Sequence, residues 1–206
     1  FLPSGTMANQ IALLLHCRPG DEILAADSNH MAYSEGGGAS ALAGAQLSLL
    51  PHVRGVIDPV TIRAAIRPDR PQTVRSRLLV LEQTCNRSGG AILPLDKVRC
   101  MATAAGGAGL AVHIDGARLF NAAVGSETEA AAFAAHADTV FVDLVLGVVV
   151  YLWRCGTFDL RLRSDVVVVA EPFVVVVVLV VVVGGLGILM LQVHSLVLLL
   201  VICQCW

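Results

Sequence analysis

Leu110-Ala111-Val112-His113-Ile114-Asp115-Gly116-Ala117-Arg118 is the stretch whose reading decides the fold. Residues 110–114 form a short apolar run broken only by His113, the pattern of a strand buried on both faces of a parallel sheet. Asp115 then stands at the carboxyl end of that strand, Gly116 permits a sharp turn, and Arg118 opens a helical pattern over 118–124. Working outward, similar apolar runs occur at residues 22–26, 46–50, 78–81 and 139–144. Between them lie helical patterns at 6–16, 34–43, 60–66 and 95–105. Strands alternating with helices predict an α/β chain with a doubly wound, mostly parallel sheet and helices on both faces.

Ligands of open α/β sheets gather outside the carboxyl ends of the strands, so polar residues there are the first candidates for chemistry. Asp115 is one, and a carboxylate so placed can pair with a protonated pyridine nitrogen. Arg118 lies three residues on, and its planar fork suits a substrate carboxylate or a phenolic oxygen. The same two residues would also serve as a structural acid–arginine pair capping a helix. His30 follows the 22–26 strand within Asp27-Ser28-Asn29-His30-Met31-Ala32-Tyr33-Ser34-Glu35-Gly36-Gly37-Gly38. An imidazole there could stack on a flat ring and exchange protons near neutral pH, or simply bond to its own loop.

The chain opens on Pro3-Ser4-Gly5-Thr6-Met7-Ala8-Asn9-Gln10. Ser4 can cap the following helix, Gly5 allows close backbone approach, and Thr6 offers a hydroxyl. A helix N-terminus of this kind suits a phosphate, and it equally fits a plain cap. A fourth polar stretch, Leu81-Glu82-Gln83-Thr84-Cys85-Asn86-Arg87-Ser88-Gly89-Gly90, reaches the same sheet edge from the 78–81 strand.

Together these blocks resemble the threonine aldolase branch of the aromatic amino acid β-eliminating lyase/threonine aldolase family, over residues 1 to about 140. That resemblance implies the large domain of the aspartate-aminotransferase-like fold, which binds pyridoxal phosphate (PLP). It implies that Ser4, Gly5 and Thr6 hold the phosphate, that His30 stacks on the ring and acts as base, and that Asp115 pairs with the ring nitrogen. Arg118 would bind the ring oxygen or the substrate carboxylate. The implied reaction is cleavage of L-threonine or L-allo-threonine to glycine and acetaldehyde, with another PLP-dependent β-eliminating lyase as the alternative. Family members are usually homotetramers acting on a small hydroxyamino acid.

Two departures stand out. The family usually has histidine where Cys85 stands, in a run that here reads Glu82-Gln83-Thr84-Cys85-Asn86. Its Schiff-base lysine corresponds to Leu146, within Leu144-Val145-Leu146-Gly147-Val148. The only lysine of the chain is Lys97, on the polar face of a surface helix pattern. The resemblance therefore implies a version with little or no turnover.

Composition divides the chain near residue 145. Residues 1–145 read as a partial, truncated PLP-binding domain, with the start at Phe1 falling inside a motif. Residues 146–206 read as a Val-rich tail: 16 of the 41 residues from Val166 to Trp206 are valine, and none after Phe173 is charged. Such a run admits three readings: a sequence artefact, a membrane anchor on a non-catalytic protein, or a buried core. A net charge of −2 excludes the electrostatic footprint of a nucleic-acid binder. No metal or disulfide spacing links the six cysteines, and scattered thiols fit a reducing, cytoplasmic setting.

Overall fold

The computed structural model describes residues 2–68 and 70–143. Leu144, Leu146 and the whole 146–206 tail lie outside the described residues. Five strands, β1 (Asp21–Ala26), β2 (Gln46–Leu50), β3 (Arg75–Glu82), β4 (Ala111–Gly116) and β5 (Thr139–Val142), form one sheet. Its order is β2-β1-β3-β4-β5, and each adjacent pair is parallel. The helices are α1 (Gly5–His16), α2 (His30–Tyr33), α3 (Gly38–Ala41), α4 (Pro59–Ala65), α5 (Leu95–Gly106), α6 (Leu119–Ser126) and α7 (Ala130–Ala134).

Alternation along the strands divides the core in two. Leu24 and Ala26 of β1 and Leu79 and Leu81 of β3 join Ile62, Met101, Leu119 and Phe133 on one face. Ile23, Ala25, Leu78 and Val80 point the other way, onto Leu13, Met31 and Ala39. Helices α1 to α3 thus cover one face and α4 to α7 the other, the doubly wound arrangement expected. Because β1 leads sideways to β2 while β3 leads to β4 and β5, the strand order reverses between β1 and β3. In open α/β sheets such a reversal is where ligands gather, outside the carboxyl ends of the strands.

Three details differ from the pattern along the sequence. Of the expected helix over 34–43 only α3 forms, because Gly36 and Gly37 take positive φ of 60° and 71° and turn the chain just before it, while α2 lies ahead of that range. Strand β3 begins at Arg75 rather than 78, since its polar start is paired: Arg75 bonds Asp21 at 2.9 Å and Ser76 donates to Glu22 at 2.8 Å. Helix α7, which has no counterpart in the sequence reading, is anchored by the fully buried Phe133.

The first helix positions the site. Ser4 Oγ accepts from the Met7 N–H at 3.1 Å, the expected N-cap. Gly5 lies against β5 so closely that a Cβ there would stand 2.7 Å from the Phe141 ring. At the other end, His16 Nε2 is 3.0 Å from Thr139 Oγ1, at the start of β5. Helix α1 therefore runs antiparallel to the strands and brings its N-terminus to their carboxyl rim. Among the described residues no helix is long and apolar enough to cross a membrane.

Leu79 is fully buried in the larger core, whereas Val60 on α4 is 63% exposed. Leu79→Ala is expected to destabilise the chain by about 2–5 kcal/mol in denaturant titration, and Val60→Ala by no more than about 0.5 kcal/mol.

Candidate active site

Strand register sets the rim. Glu82, the last residue of β3, stands beside Asp115 on β4, and Asp115 beside Phe141 on β5. Across the reversal from β1, the His30 N–H donates to Glu82 Oε2 at 3.0 Å. The Asn86 N–H donates to the other oxygen of Glu82 at 3.0 Å. His30, Glu35 and Asp115 each present a polar atom within 4.8 Å of the others. Residues far apart in sequence thus meet over a single small area.

Asn9, on the second turn of α1, holds this cluster together. Its amide nitrogen donates to Glu35 Oε1 at 2.7 Å and to Asp115 Oδ2 at 2.8 Å. Gln10 donates to the other Glu35 oxygen at 2.8 Å, and the Ala117 N–H reaches Asp115 Oδ1 at 3.2 Å. Glu35 in turn bonds His30 Nδ1 at 3.0 Å. The His30 side chain is 36% exposed while that of Glu35 is wholly buried, so the imidazole is the element turned outward.

The electrostatics follow from burial. Desolvation pushes the Asp115 carboxyl up, against the opposing hydrogen bonds from Asn9 and Ala117. Glu82 is raised by the same cause. The bond to Glu35 lifts His30 above its ordinary 6.5, with burial opposing. His113, fully buried behind Asn9, is pushed down to about 3 by desolvation and stays neutral.

Of the residues anticipated from sequence, His30 and Asp115 come together, and Ser4, Gly5 and Thr6 stand at the N-terminus of α1 on the same rim. Arg118 leads α6, where its N–H donates to the Gln83 carbonyl at 3.2 Å. Half-buried Arg118 forms no ion pair with Asp115 among the described residues, so the simple capping pair is not made. Asn9, Glu35, Glu82 and His113 had no assigned role in the sequence reading. The available signal was polar residues set inside apolar or glycine-rich runs.

Residues 1–150 match the profile of the beta-eliminating lyase family. The chain belongs to that family. It is 34% identical to a low-specificity L-threonine aldolase of Escherichia coli K12 over 148 residues, which are 71% of this chain and 44% of that protein. A probable low-specificity L-threonine aldolase of Arabidopsis thaliana is 34% identical over 152 residues, 72% of this chain and 43% of its own length. The structure of Leishmania major threonine aldolase superposes with a TM-score of 0.61 at 24% identity, covering 68% of this chain and 41% of that one, a likeness of fold. The chain spans less than half the length of these relatives.

The lyase family is PLP-dependent. One residue of the rim has the chemistry that cofactor's ring nitrogen calls for. Asp115 is 2% exposed and bonded to an amide and a backbone N–H rather than to a cationic side chain, an environment suited to a protonated ring nitrogen.

A testable consequence concerns His30. Because Glu35 holds its charged form, its titration midpoint by NMR should lie above 6.5, and Glu35→Gln should lower it. The stability gained from this pair is present in full below the unfolded value. It is lost as pH rises through the folded one, so Glu35→Gln should cost most on the acid side.

Proposed function

We propose that the protein is a PLP lyase of the threonine aldolase type, acting on L-threonine or L-allo-threonine to give glycine and acetaldehyde. We further propose that this chain holds PLP without a covalent bond. The observation that carries the reading is the meeting of His30, Asp115 and the N-terminus of α1 at one end of the sheet.

In this reading Ser4, Gly5 and Thr6 hold the phosphate through the helix N-terminus and the Thr6 hydroxyl. Asp115 holds the ring nitrogen, and His30 lies against the ring face. When bound, PLP supplies a sink for the electron pair released as the Cα–Cβ bond of the substrate breaks. His30 accepts the proton of the β-hydroxyl, which requires the neutral imidazole. Proton abstraction then increases with pH through a midpoint above 6.5. Arg118, with no partner for its guanidinium among the described residues, binds the substrate carboxylate or the ring oxygen.

Leu146, inside the matched span, has no amine to offer the cofactor's aldehyde. Lys97 cannot replace it, because it sits on α5 with its side chain 54% exposed and 3.8 Å from Asp96. Binding is therefore separated from turnover in this chain, and catalysis is very slow.

Ultrafiltration with PLP tests the reading. The purified chain should retain PLP, and Asp115→Asn should weaken retention by about tenfold or more, the scale of a lost charge-assisted bond. Borohydride treatment followed by intact-mass measurement should leave the protein mass unchanged. Failure of the chain to retain PLP would overturn the site, and a mass increase would overturn non-covalent holding.

A further inference from the structure

Behind Asn9 lies a row of buried polar groups that the proposed chemistry does not use. His113 Nε2 is 3.0 Å from Asn9 Oδ1, and His113 Nδ1 is 2.9 Å from Thr139 Oγ1. Thr139 Oγ1 is also 3.0 Å from Nε2 of the half-buried His16. Asn9 and His113 are each 1% exposed.

The hydrogens in this row have one consistent arrangement. The group of Asn9 facing both Glu35 and Asp115 is its NH2, which donates to a carboxyl oxygen of each. The Asn9 oxygen then needs a donor, and His113 Nε2 must carry a hydrogen. Burial keeps His113 neutral, which leaves Nδ1 as an acceptor. The Thr139 hydroxyl donates to it, and the Thr139 carbonyl at 3.2 Å is a contact without a hydrogen between. The Thr139 oxygen is then free to accept from His16. Every donor points from His16 toward the two acids. Turned the other way, the Asn9 amide would aim its oxygen at both carboxylates and its NH2 at a donor.

We propose that Asn9 is a positioning residue of the cofactor site, locked in one orientation by His113 with Thr139 and His16 behind it. One amide thereby sets the spacing between Asp115 and the Glu35–His30 pair. Its value for binding rests on the PLP reading; the lock itself does not.

The test uses the full chain, with deoxypyridoxine phosphate, which keeps ring and phosphate but lacks the aldehyde, as the probe. Isotope-edited NMR should find the Asn9 side-chain NH2 protected from solvent exchange. His113→Phe should abolish that protection and weaken probe binding by about tenfold, with part of both recovered in His113→Gln, whose amide can still donate. Thr139→Val, nearly isosteric, guards against misfolding and should weaken binding by about threefold. Binding of inorganic phosphate should not change, because the phosphate end does not involve these groups. Unchanged NH2 protection and probe affinity in a folded Thr139→Val or His113→Phe variant would overturn the lock. Protection lost as expected in a chain that never binds the probe would instead overturn the PLP reading.

Discussion

Two carboxylates buried side by side, Asp115 at 2% and Glu35 at 6% exposure, are the constraint on which the rest of the rim depends. A buried charge is tolerated only when its oxygens are bonded, and here three of the bonds come from one turn of α1, beside those of Ala117 and His30. Asn9 serves both acids and Gln10 serves the second oxygen of Glu35. This requires α1 to pack close, and the glycines make room. A Cβ on Gly5 would collide with the Phe141 ring, and one on Gly38 with the Gln10 amide. Gly36 and Gly37 turn the backbone immediately after Glu35, at positive φ. The helix start, the glycine run and the acid at the end of β4 are parts of one solution to burying negative charge.

The two ends of the sheet treat their acids differently. At the amino end, Asp21 is bonded by Arg75 and Glu22 by Arg67, with Ser76 and Gln46 adding neutral donors. Those acids carry their own counter-charges and act as structure. At the carboxyl end, Glu35, Glu82 and Asp115 gather with His30 as the one cationic side chain bonded to any of them among the described residues. Burial raises both Glu82 and Asp115, the expected response of acids lacking a full counter-charge. A ligand bearing a positive ring nitrogen would relieve that imbalance. The amino end has no comparable deficit, which distinguishes the two rims without reference to any relative.

Much of this was legible along the chain because parallel strands are buried on both faces and read as plain apolar runs. His30 and Asp115 could be picked out since each follows such a run, and the strand end alone gives its residue a place. Asn9 could not be found this way. Helix α1 buries Asn9 and Gln10 while Met7, Ile11, Leu14 and Leu15 are 36–65% exposed, so a hydrophobic-face rule would turn the site outward. His113 was hidden for a related reason: inside a strand covered on both sides, a lone histidine gives no sign of its partner. Glu35 was obscured by the helix read across it, which the two left-handed glycines break.

The two departures from the family pattern act on different physical steps. Cys85 is 1% exposed, with Ser28 and Ser88 hydroxyls at 3.5 and 3.3 Å and the Gly55 backbone so near that a Cβ there would lie 2.7 Å from its own. A side chain so enclosed is part of the packing beneath the rim, and the proposed reading leaves the work of a base to His30. Among the described residues, none of the bonds holding Asn9, Glu35, Asp115 or His30 involves a lysine. On the proposed reading, loss of the lysine would remove a covalent bond to the cofactor while the bonded acids, the helix N-terminus and the outward imidazole remain. On that reading, non-covalent recognition and covalent chemistry are separable in this architecture, since the first would rest on buried hydrogen bonds and the second on one amine.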